Sequence, residues 1–167
     1  MNKAFARFVL AIAALTLLTS CSEPVQVASN AEPEPAIYNT SLNMLDFMNL
    51  VLEPIADGLW DSAGWVNDIE TGYRELYPTN DEEWEVARQH AAQIVEAGNA
   101  LAIPGRAVDN DAWLTYANAM SNVGVLAMNA AASQNQEDYF QAGAQLYSVC
   151  TACHQSYNPD ISRFVSN

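Results

Sequence analysis

The chain has 167 residues, half of them apolar, which is enough for one sizeable core and leaves little room for a second independent domain. Twenty acidic residues stand against six basic ones, a formal net charge of −14, so a nucleic-acid backbone is excluded as a natural partner. Of the three cysteines and two histidines only Cys150, Cys153 and His154 lie together, so a closed zinc site would depend on a distant fourth ligand.

Residues 1–20, MNKAFARFVLAIAALTLLTS, place Lys3 and Arg7 ahead of an apolar stretch from Phe8 to Leu18. A basic start followed by an apolar run too short to be a natural spanning helix is the pattern of an export signal. Leu18-Thr19-Ser20-Cys21 then resembles the bacterial lipoprotein processing box, whose cysteine becomes the lipid-modified first residue. On that reading, lipid on Cys21 holds a soluble domain at the periplasmic side of a bacterial membrane. Ser22 in the next position resembles the default for delivery to the outer membrane. The competing reading is ordinary secretion with Cys21 free or disulfide-linked. Removal of Lys3 and Arg7 leaves four basic residues against twenty acidic ones, a charge of −16 with no lysine. Residues 21–40 comprise the lipidated cysteine and a flexible tether, since SEPVQVASNAEPEPAIY is rich in Pro, Glu, Ala and Ser and has no helical stripe.

The folded domain is expected over 41–160, with 161–167 as a tail. From Leu42 to Trp60 the apolar residues Leu45, Met48, Leu52, Ile55 and Leu59 recur in steps of three and four, predicting a first helix that Pro54 delays or bends. Residues 61–83 contain Gly64, Gly72 and Pro78 and read as a long connection, with a short helical turn around Trp65 to Ile69 and no strand. Thr79 or Asn80, followed three residues on by Glu82 or Glu83, caps a second helix whose inner face is Trp84, Ala87, Ala91, Ile94 and Leu101. A third helix carries Trp113, Ala117, Met120, Gly124, Ala127 and Ala131 on one face. Small residues there serve either close helix packing or a recess for something other than neighbouring side chains. Asn135 and Asp138 resemble a cap for the last helix, Tyr139 to about Tyr157, ending before Pro159. Four helices without strand alternation predict an all-α fold, an antiparallel four-helix bundle with its binding chemistry in the core.

That chemistry lies in Cys150-Thr151-Ala152-Cys153-His154. A c-type haem requires two thiols spaced to add across its two vinyl groups and an imidazole beside them to reach the iron, which is what C-x-x-C-H supplies. At steps of three and four the three side chains share one side of a helix, near its end. A redox-active Cys-x-x-Cys would want its first thiol near a helix N-terminus, and zinc would want a fourth ligand. The expectation is therefore one covalently attached haem c, held by Cys150 and Cys153, with His154 as an iron ligand. For the second axial position Met48 leads, because thioether sulfur suits haem iron and Met48 is on the inner stripe; Met44, one turn earlier, is the reserve. Either could instead be core filler, as Met120 and Met128 are read to be. The second axial position could also lack a protein ligand, and His90 is the remaining candidate for it, although it reads rather as an exposed or core-edge residue of the second helix; it is also a weak nominee for a peroxidase acid–base group. Trp113, Tyr147 and Tyr157 are candidates for packing on the haem, and each would serve equally as a core aromatic.

AGAQLYSVCTACHQSY at the C-terminal end, four predicted helices before and through it, and a first-helix methionine roughly one hundred residues ahead of the motif resemble the class II cytochromes c. This family comprises cytochrome c prime and its low-spin, Met-ligated relatives, and the resemblance covers residues 41 to about 160. It implies that Cys150 and Cys153 hold the haem, that His154 is the proximal ligand, and that Met48 is the distal ligand or shields the distal side. It also implies a homodimer through the first two helices as one arrangement. The chain departs from the family at Asn158, where a basic residue often follows the histidine by four positions, and in MNLVLEPIADGLWDSAGWV, unlike the usual first helix of the high-spin members.

The leading expectation is an electron carrier in the periplasm, not an enzyme; its acidic surface would favour a redox protein with a basic docking face, or equally suit a salty environment that screens its self-repulsion. Alternatives are a five-coordinate protein that binds NO or CO, and an accessory haem subunit of a membrane redox complex. Carboxylates spread over outer faces, with no convergent nucleophile and base, point away from hydrolysis or group transfer.

Overall fold

The computed structural model describes residues 38–159. The expected signal 1–20, Cys21, all but the last three residues of the tether 21–40, and the tail 161–167 lie outside the described residues. Among the described residues no helix is long and apolar enough to cross a membrane.

The first helix is built in three pieces: α1, Met44–Phe47; a π turn, Met48–Leu52; and α2, Glu53–Trp60. Asn43 caps it by accepting the Asp46 N–H at 2.9 Å. Pro54 explains the middle piece. In a regular helix its ring would press on the carbonyl of Leu50, four residues back, and its nitrogen has no hydrogen to donate. The chain widens just before it, so that the Glu53 N–H reaches back five residues to the Met48 carbonyl. Pro54 then enters in the first turn of a fresh α segment, where a missing donor costs little.

This widening corrects the expected stripe. Leu45 is 66 % exposed and Phe47 is 4 % exposed, the reverse of an unbroken three-four repeat. Phe47 and Leu52 are both buried although five residues apart, and in a continuous α-helix they would point about 140° away from each other. The Arg106 guanidinium lies 4.5 Å over the Phe47 ring and covers its outer side.

The connection 61–83 holds a second correction. Instead of a helical turn it forms an antiparallel hairpin, β1 Trp65–Asp68 with β2 Gly72–Glu75, in the register Trp65 to Glu75 and Asp68 to Gly72. Asp68 organises the turn: its carboxylate accepts the backbone N–H groups of Glu70 and Thr71 and the Thr71 hydroxyl. Gly72 takes φ +72°, the left-handed conformation that closes such a turn. Trp65 stacks on Phe140 with ring centroids 6.0 Å apart, which ties the hairpin to the last helix. The sheet is therefore anchored by one aromatic pair rather than by an apolar face, and period-two alternation was too short to signal it.

Three long helices complete the domain: α3 Asp81–Ala102, α4 Ala112–Ala132 and α5 Gln136–Tyr157. Asn80 caps α3 through the Glu83 N–H, while Glu83 reaches back to the Thr79 backbone and hydroxyl. Asn135 caps α5 through the Asp138 N–H, as the sequence suggests. The expected inner faces of α3 and α4 are buried throughout. α3 packs against α2 and α4, and α5 against α4 and α2, a closed ring of neighbours compatible with an all-α bundle. The fold is thus mostly helical with one small sheet.

α3 and α4 approach closely through glycine. A Cβ on Gly98 would stand 2.2 Å from Ser121 Oγ, and one on Gly124 would stand 2.8 Å from Val95 Cγ2. Ser121 donates to the Val95 carbonyl at 3.0 Å across the same contact. Over this length the small residues of α4 serve packing.

Candidate functional site

α5 runs 22 residues without a proline, so Cys150, Cys153 and His154 keep a regular register and emerge together near its C-terminal end, all half-buried. They border one cleft. Trp113, Tyr116, Ala117 and Met120 from α4 form its second wall, Leu101 from α3 and Met48 and Leu52 from the π turn its remaining sides. The walls stand close and leave a narrow space of about 40 Å³ between them. Much of the lining is apolar, and Met48 and Met120 bring flexible, unbranched side chains to it.

Both thiols are free. Burial, and after it the neighbouring Cys153, pushes the Cys150 thiol up to about 11, and burial raises Cys153 as well. A thiol used for exchange needs the opposite shift, because the thiolate is the nucleophile. Among the described residues no three His, Cys, Asp or Glu side chains converge where a metal ion could be held. The donors are instead distributed along a wall, two thiols and an imidazole on one helix with a thioether across the cleft. That set suits a planar macrocycle attached at its edge and ligated from its face better than it suits a bare ion.

The other sequence candidates separate. Trp113 lines the cleft and donates its indole N–H to the Leu101 carbonyl at 2.7 Å, which fixes the ring. Tyr157 sits behind it, edge-on at 5.0 Å between centroids, with its hydroxyl donating to Asp109. Tyr147 is 51 % exposed and packs edge-on to Trp60 at 6.2 Å, apart from the cleft lining. Met44 packs against the core without reaching the lining, whereas Met120, read as packing alone, is part of it. Met128 is also packed on the core. His90 belongs elsewhere: it borders a separate groove with Ser62 and Glu82, and its ring lies against Gly58, where a Cβ would stand 2.5 Å from Cε1. Its Nδ1 is buried without a hydrogen-bond partner. The residue missed from the sequence is Tyr116, which lines the cleft and shares a 3.1 Å hydrogen bond with Ser156 on α5. Its position three residues after Trp113 on the same helix was the available signal.

Comparisons with family models, with curated proteins and with solved structures give no match.

Proposed function

We propose that the chain is a c-type monohaem cytochrome of the class II kind, an antiparallel four-helix bundle acting as a periplasmic electron carrier and held to the membrane by lipid on Cys21. The observation that carries this reading is the meeting of Cys150, Cys153, His154 and Met48 in one largely apolar cleft. Cys150 and Cys153 would hold the haem through thioether bonds, and His154 and Met48 would ligate its iron. When bound, the group supplies a one-electron couple whose potential is set by ligands, burial and nearby charge. The chain's own residues do the rest. Trp113, Leu52, Leu101 and Met120 line the cleft and would screen the bound group from water. The strongly acidic chain favours a basic redox partner, with association that slows as salt rises.

The visible spectrum of the purified holoprotein, ferric and ferrous, before and after carbon monoxide, tests the assignment against Met48→Ala. A low-spin wild type with the weak far-red Met-to-ferric-haem band, lost in the variant, is the expected result. A high-spin wild type that takes up carbon monoxide at once and is unchanged by the substitution would overturn Met48 and favour a gas-binding protein.

A further inference from the structure

Asp109 lies in the loop between α3 and α4, and its two oxygens have different partners. Oδ1 accepts the backbone N–H groups of Asp111 at 2.9 Å and Trp113 at 3.0 Å. This is ordinary capping, needed because the N-cap residue of α4, Asp111, makes no side-chain cap bond of its own. Oδ2 accepts the Tyr157 hydroxyl from 48 positions along the chain. Capping does not account for that second bond, which brings a carboxylate to the C-terminal end of α5, where the helix dipole disfavours negative charge.

Tyr157 is three residues beyond His154, and its ring packs on Trp113, a wall of the cleft. The carboxylate is therefore tied to the His154 end of the cleft twice, through Trp113 and through Tyr157. It forms no ion pair among the described residues: Arg106, three positions back in the same loop, is turned to the Phe47 ring and the Ala100 carbonyl. α4 and α5 contain no lysine or arginine, and the one ion pair among the described residues is Arg88 with Glu85. The Tyr157 hydroxyl, followed by the Asp111 and Trp113 amides, holds the Asp109 carboxyl below its ordinary range and so keeps it ionised.

We propose that Asp109 is a potential-setting residue, a carboxylate anchored by Tyr157 one helical turn from His154 that favours the oxidised form of the bound iron. This rests on the haem assignment above. A fixed negative charge in a partly buried setting stabilises the more positive oxidation state, and Tyr157 tempers it by donating a hydrogen bond.

The test is a spectroscopic redox titration of the full-length holoprotein. Asp109→Asn keeps the capping oxygen and removes the charge, so its midpoint potential shifts upward. Tyr157→Phe keeps the charge and removes its donor, so the potential shifts downward. Glu137→Gln, at the far end of α5 and roughly 25 Å along its axis, leaves the potential at the wild-type value. Opposite shifts separate a charge effect from loosened packing, which would move both variants the same way. Shifts of one sign, or none beyond that of Glu137→Gln, overturn the proposal while leaving the haem assignment standing; a wild type without haem overturns both. If Asp109→Asn does not fold, Tyr157→Phe decides alone, a downward shift supporting the proposal and an upward or absent shift overturning it.

Discussion

The small-residue face of α4 meets two different surroundings along its length. Around Gly124 it is shut, with Val95 and the Ala91 carbonyl of α3 so near that a single added carbon has no place. Around Ala117 and Met120 the same face borders the cleft. Ala117 marks the boundary, since its carbonyl faces Gly98 of α3 while its side chain is part of the lining. Small residues permit either a close approach or a recess, and what stands opposite decides between them. At one end the partner is another small stretch of helix. At the other, the large side chains of Trp113, Leu101 and Met48 share the lining and leave a narrow cleft between them.

Enlarging each end in turn would break that contrast if it is wrong. Gly124→Val should have the largest effect, because the nearest atoms include the Val95 backbone nitrogen, which cannot swing away. The expected loss is about 3 kcal/mol or more, read as a fall in the denaturation midpoint. The cleft end sharpens the contrast through its thiols. In the haem-free chain the Cys150 proton is held up to about 11, above the ordinary 9.0, so folding is favoured below the ordinary value and loses that advantage as pH rises through the window between them. A wild-type melting series from pH 8 to 11 should fall more steeply than that of Cys150→Ala, by on the order of 1–2 kcal/mol across the window. Ala117→Val should have the smallest effect on stability, about 1 kcal/mol, yet should lower the haem content of purified protein because it narrows the cleft. Equal destabilisation by Gly124→Val and Ala117→Val would show that both ends are packed alike.

Much of this was legible from periodicity. The faces of α3 and α4, the caps at Asn80 and Asn135 and the shared side of Cys150, Cys153 and His154 follow from spacing and side-chain chemistry within single helices. What escaped depended on partners distant in sequence or on a local change of helix type. The hairpin rests on the Trp65–Phe140 stack and on the Asp68 turn, neither of which produces alternation. Leu45 was placed inside because a three-four count assumes an unbroken α-helix, and the π turn breaks it. Tyr116 and Asp109 matter through α5, 40 and 48 residues away.

The π turn has one more consequence, for how this chain would be aligned with others. A π turn is an α-helix that has taken in one residue too many and absorbed it locally, leaving the flanks in their original phase. Delete exposed Leu50 and Phe47 falls four residues before Leu52, an ordinary helical spacing with the same side chains inward. Sequences that share this helix can therefore differ in length by one just ahead of Pro54, and a comparison that forbids a gap there would set Met48 against the wrong residue.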